Sequence, residues 1–201
     1  MRTLLYGILF GLLSPLLFNC STPSAPAVQA EFTKADSLTE HYLSLQDTVH
    51  RYWNEMINHD NQKISALHHL LHEIAVSHPE DKKAFTAMED RLDQLLRMRY
   101  TQKTLANPDV VYEYDLATNA AISELLGNTR AMREYSYNKT LQKLVRDIES
   151  ADLRTGRYRQ NYDSLVRVFN RFIEENKNYL EQTDQTMTFE KKPMFQMISK
   201  D

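Results

Sequence analysis

The densest group of potential metal ligands in the chain is His68, His69, His72 and Glu73. On a helix, His68 and His72 stand four apart and share a face, a spacing that can hold a divalent cation. His69 and Glu73 make a second pair of the same kind. The zinc-protease pattern needs a Glu directly after its first His, whereas Leu70 and Leu71 follow His69 here. A solvated histidine face opposite Leu67, Leu70, Leu71 and Ile74 accounts for the same residues without chemistry. The enzymatic alternative is a metal-dependent hydrolase using His68, His72 and Glu73, which stoichiometric zinc binding would reveal.

Other catalytic patterns find no support. No serine sits in a Gly-flanked elbow, and no Gly-rich loop follows a strand to cradle phosphate. The paired Glu and Glu-x-x-His set of di-iron bundles is missing. The acidic residues of 80–94 alternate with Lys and Arg as solvated pairs. The expectation is a protein without catalytic residues, metal or cofactor, and with no evident small-molecule substrate.

Composition narrows the class further. The 201 residues include 24 Lys and Arg against 27 Asp and Glu, a net charge of −3 without the basic excess of a nucleic-acid binder. The Gly count of 4 disfavours a turn-rich all-β fold, and a single Cys excludes an intrachain disulfide framework.

That one cysteine, Cys20, stands at the end of the apolar run Leu4–Phe18, behind Arg2 as the only charge. The run is short for a membrane span, which needs about 20 residues, and fits the apolar region of an export signal. Cys20 in this place resembles the lipidation site of bacterial lipoproteins, with 1–19 as signal peptide and 20–35 as a flexible, Pro-containing tether. Two alternatives stand beside it: cleavage after Ala27 or Ala30, and an uncleaved anchor. The first reading puts the folded body outside the cytoplasm, lipid-anchored to a cell-envelope membrane and facing the periplasm or exterior.

From residue 36 onward apolar residues recur at helical spacing. Leu38, Tyr42, Leu45, Val49, Trp53 and Met56 form one stripe, the polar stretch Asn58 to Lys63 interrupts it, and Ile64, Leu67, Leu71 and Ile74 resume it. The spacing predicts a helix over about 36–77 with a distortion near Asp60. Ser77 and Glu80 around Pro79 read as a capping box opening a second helix to about Lys103, with Phe85, Met88, Leu92, Leu95 and Leu96 inward. Ala106-Asn-Pro-Asp109 is a turn signal. A third helix over about 110–133 carries Leu116, Ala120, Ile122, Leu125 and Met132, weakened by Gly127 and Asn128. The last helix carries Leu141, Leu144, Ile148, Tyr162, Leu165, Phe169, Phe172 and Tyr179. No strand is predicted. The fold class is all-α: an elongated antiparallel up-and-down bundle of about four helices over 36–183, followed by the tail 184–201.

The core line of the last helix turns polar at Asp152, Thr155, Gly156 and Arg159, and the polar stretch of the first helix lies at a comparable distance from its own end. A buried polar layer across the bundle is expected, whose usual effect is to fix register; a small-ligand sensor built on Asp152 and Arg159 is the functional alternative. Tyr137 and Tyr158 lie off the main stripe and could mark a partner patch. The Met and Phe residues of the tail are expected to dock back on the bundle.

The last helix also carries a resemblance. Arg159-Gln-Asn-Tyr162-Asp163-Ser-Leu-Val166-Arg-Val-Phe169-Asn170 resembles the hallmark of the LemA family, with Asp163 replacing an Asn. Leu141, Leu144, Ile148 and Asp152 upstream, and Trp53, Met56, Leu70, Leu71 and Ile74 in the first helix, fall at further positions of the family. Phe189-Glu-Lys-Lys-Pro193-Met-Phe195 is similar to the family's ending. The chain departs from the pattern at Tyr135-Ser-Tyr137-Asn138, where the family has a Tyr-Pro segment, at Ile57, where it has an acidic residue, and at Lys63, the remnant of a basic pair. The resemblance implies an all-helical envelope protein with an N-terminal membrane anchor and implies no reaction. The expected role is a scaffold or adaptor for an envelope protein whose identity the residues do not name.

Overall fold

In a computed structural model of the chain, the described residues are 33–183 and 188–195. They form an all-α bundle of four helices: α1 Lys34–Ser77, α2 Lys82–Met98, α3 Pro108–Ala131 and α4 Lys139–Thr183. Short 3₁₀ turns at Pro79–Asp81, Thr104–Ala106 and Arg133–Ser136 join them. The expected signal peptide and its Cys20 lie outside the described residues. The expected tether overlaps them only at its end, and there it is helical: Thr33 caps α1 by accepting from the Asp36 amide, while Asp36 accepts from the Thr33 amide.

α1, with 44 residues, and α4, with 45, are rods of about 66–68 Å that form the long axis. They run antiparallel, since partners on α4 fall in number as those on α1 rise. Lys34 lies over the Tyr179 ring, His41 stacks on Phe172, Trp53 meets Tyr162 edge-on, and Lys63 reaches Asp152. α2 and α3 pack along the C-terminal half of α1. Arg99, just past the end of α2, reaches Asp60 of α1, and Arg91 pairs with Glu124 of α3 through two bonds of 2.7 Å. One hydrophobic core threads the whole bundle, including Val49, Leu67, Leu92, Tyr114, Ile148 and Phe169.

Several local expectations change. α1 shows no break at Asp60. Its polar stretch stays helical because His59, Asp60 and Lys63 turn inward, where groups on other helices receive Asp60 and Lys63. Ser77 is no helix cap; it is the last residue of α1, and its hydroxyl donates back to the Glu73 carbonyl. Beyond it α2 starts at Lys82 with no side-chain cap and stops at Met98, short of Lys103, and Leu96 is exposed.

α3 runs through Gly127 and Asn128 to Ala131, with Ile122 and Leu125 buried as expected and Met132 half-buried, but its first half turns a different face inward. Leu116 is 58% exposed and Ala120 is exposed, while Val111, Tyr114, Thr118, Ala121, Ile122 and Leu125 are buried. Apolar residues occur on several sides of this helix, so tertiary packing selects the buried face. On α4 the buried line runs through Val145, Val166, Ile173 and Leu180 as well, leaving Leu144 and Leu165 half-buried and Tyr179 exposed.

Candidate functional site

Two features gather the polar residues that the sequence singles out: a layer of ion pairs midway along α1 and α4, and a strap formed by residues 188–195.

The layer is built from α1, α3 and α4 and from Arg99 and Tyr100, which follow α2. Lys63, 3% exposed, donates to Asp152 of α4 at 3.3 Å and to the Thr155 hydroxyl at 3.2 Å, and lies 3.6 Å from Asp60 one turn back on α1. Asp60 also accepts from the Tyr114 hydroxyl of α3 and from Arg99 at 3.5 Å. Arg159 of α4 makes a two-pronged pair with Asp115 of α3, at 2.7 and 2.5 Å, and donates to the Tyr100 hydroxyl at 3.2 Å. Asp152 and Arg159 thus serve the same layer but take different partners.

Aromatic rings wall the layer. The Arg159 guanidinium lies 5.3 Å from the Tyr100 ring and 4.9 Å from the Phe195 ring, within cation–π range. Trp53, Tyr100, Tyr114, Tyr162 and Phe195 meet one another edge-on. Burial pushes the phenols of Tyr100 and Tyr162 up to about 12, and burial together with the Asp60 carboxylate raises Tyr114 as well. Burial works against the charge of Arg159, but its bonds to Asp115 and the facing Tyr100 more than offset this and raise its pKa. These shifts hold the tyrosines as phenols and the arginine as a cation throughout the physiological range.

His59 adjoins the layer. It is 5% exposed, lies with its ring 4.3 Å from that of Tyr158, and its Nε2 has no hydrogen-bond partner among the described residues. Burial lowers its pKa, helped by Arg154 and Lys63 and opposed by Asp60 and Asp152.

The strap is held by the motif on α4. The Tyr162 hydroxyl donates to the Pro193 carbonyl at 3.4 Å. Asp163, itself buried, accepts from the Phe195 amide at 2.8 Å. Asn170 donates to the Lys192 carbonyl and accepts from the Lys192 amide, both at 2.8 Å. Val166 and Phe169 lie buried on the same helix, and Lys192 sits over the Phe169 ring. At the two ends of the strap, Phe189 packs edge-on against Tyr42 at 4.9 Å and Phe195 closes the box around Arg159. Burial lowers the pKa of Lys192, and Lys191 pairs with Glu174 at the rim.

The histidine cluster is arranged differently. His68 faces Asp93 of α2 at 3.4 Å, His69 and His72 are exposed, and Glu73 is half-buried. Among the described residues, no three His, Cys, Asp or Glu side chains converge as a metal site. Tyr137 is exposed, whereas Tyr158 is occupied by His59. Sequence reasoning missed Asp60 as an individual partner, and with it Arg99, Tyr100, Tyr114 and Asp115. Their only local signal is a charge or hydroxyl among apolar neighbours.

Comparison with family models, with curated proteins and with solved structures finds no match. The LemA-like motifs therefore stand on the order and spacing of the residues themselves.

Proposed function

We propose that this chain is an exported, lipid-anchored helical adaptor on the outer face of a bacterial envelope membrane, a LemA-like scaffold that works by presenting surfaces and not by catalysis. The observation that carries this reading is how the polar layer is used. Asp60, Lys63, Asp115, Asp152 and Arg159 all bond to groups on other helical segments. A buried array of this kind fixes which helix faces which, and at what height. The leader supports the location: an apolar run too short to span comfortably, ending in the only cysteine.

The test is the intact mass of the membrane-extracted protein beside a Cys20→Ala variant. An acyl-shifted mass beginning at Cys20, lost in the variant, supports the lipid anchor. A mass beginning at Val28 or Glu31 describes a free exported protein and overturns the tethered adaptor. The full-length mass replaces the lipid with an uncleaved anchor and keeps the adaptor.

A further inference from the structure

Residues 188–195 lie on the bundle as a bound peptide lies in a groove. All four hydrogen bonds that Tyr162, Asp163 and Asn170 make to the strap go to its backbone: the Lys192 and Phe195 amides and the Lys192 and Pro193 carbonyls. None of the four depends on which side chain the strap carries at that position. Selectivity comes instead from the two ends, where Phe189 and Phe195 enter separate aromatic sites, one at Tyr42 and one at Tyr100 and Tyr162.

The spacing is consistent with an extended occupant. The second Phe lies six positions after the first, a reach of about 20 Å in extended chain. Phe189 meets Tyr42 of α1, and Phe195 meets Tyr162, whose other edge-on neighbour is Trp53 of α1; Tyr42 and Trp53 lie eleven residues apart, about 17 Å along a helix. Proline two residues before the second Phe fixes φ and has no amide to leave unpaired. Beside the strap a cleft of about 440 Å³ remains open, lined by Leu105, Pro108, Asn170, Lys192 and Met194 among others.

We propose that this face of α4, with Tyr42 and Tyr100, is a recognition groove for an extended Phe-x3-Pro-x-Phe segment of a partner protein, and that the chain's own tail is its resident competitor. The proposal deepens the adaptor reading by giving the partner's chemistry. A tethered tail acts at an effective concentration in the millimolar range, so the groove is closed at rest. A partner engages when its segment displaces the tail and sets its own second Phe against Arg159 in place of Phe195.

The experiment uses the full chain carrying Phe189→Ala and Phe195→Ala, which weakens the resident segment without touching the groove. The probe is a fluorescent peptide with the sequence of residues 188–195. Saturable binding at least about tenfold tighter than to the wild-type chain, and weakened about tenfold again by Asn170→Ala, is the expected result. A variant with unchanged helicity that does not bind the peptide overturns the proposal. Should the double variant lose helicity, hydrogen exchange of the wild-type chain decides. Lys192 and Phe195 amides that exchange faster than the α4 core support an exchangeable tail; amides that open only with the whole bundle overturn it. Wild-type dimers that form with concentration and dissolve on adding peptide would put a second copy's tail in the groove and overturn the occupant proposed. Failure of peptide binding leaves the mass result at Cys20 untouched, so the two readings fall separately.

Discussion

The side-chain amide of Asn170 holds both backbone groups of Lys192, donating to its carbonyl and accepting from its amide at 2.8 Å each. An amide is the one side-chain group that copies a peptide unit, so here α4 pairs with the backbone of Lys192 as another peptide unit would.

Asn170→Leu removes donor and acceptor together and is expected to cost about 1–3 kcal/mol. Asn170→Asp keeps the acceptor and loses the donor, so it should fall between Leu and wild type. Urea unfolding measures the loss, and hydrogen exchange at Lys192 locates it. Unchanged protection at Lys192 in the Leu variant would sink the pairing.

Lys63 is a buried cation beside the buried Asp60 carboxylate. Lys63→Met leaves the buried Asp60 carboxylate with Tyr114 and Arg99 only. The expected cost is about 3 kcal/mol, the low end for breaking a buried pair. Its contact with Asp152, whose side chain is 40% exposed, adds little to that figure. Adding Asp60→Asn should recover part of the loss; a double variant no more stable than the single one would argue against the Asp60–Lys63 coupling.

His59 makes the bundle acid-sensitive. Its folded pKa lies below the ordinary 6.5, so between those two values the unfolded chain binds more protons than the folded one. Stability is therefore full above 6.5 and falls as the pH drops through that window. His59→Phe should flatten this acid limb in urea titrations run above and below the imidazole range. An unchanged limb would assign the sensitivity to other groups.

Two small substitutions near helix ends offer a contrast. Asn138 accepts from the Thr140 and Leu141 amides at 2.9 and 3.1 Å, so Asn138→Ala should cost about 1 kcal/mol. Ser77 caps nothing, and Ser77→Ala should change stability by less than about 0.5 kcal/mol. Thermal unfolding of the two variants side by side checks the pair.

The long helices were legible because Tyr42, Val49, Leu67, Leu141 and Ile148 repeat at a helical period over many turns, and no competing pattern exists. α3 was legible as a helix, and Ile122 and Leu125 as its inward residues, but Leu116 and Ala120 were not legible as outward ones. With Leu116, Ala117, Ala120, Ala121 and Ile122 so close together, several faces are apolar, and burial depends on what packs alongside. The polar layer could be located from Asp152, Arg159 and the stretch ending in Lys63. Its partners could not, because Arg159 joins Asp115 and Tyr100 across 44 and 59 residues, and no spacing rule links groups so far apart. The strap shows the reverse: both halves were visible as motifs, yet bonds from side chain to backbone leave no mark on the residues they grip.

At the end of the bundle where α1 begins, His41 and Tyr42 touch Phe169 and Phe172 of α4 and Phe189 of the strap. Bending stiffness grows steeply with cross-section, and a pair of helices has little of it. The strap is a third member laid along that pair, fixed at Asn170 and again at Asp163. It is placed as a splint across the junction of the two-helix end and the four-helix end, tying Tyr42 near the start of α1 to Arg159 in the polar layer.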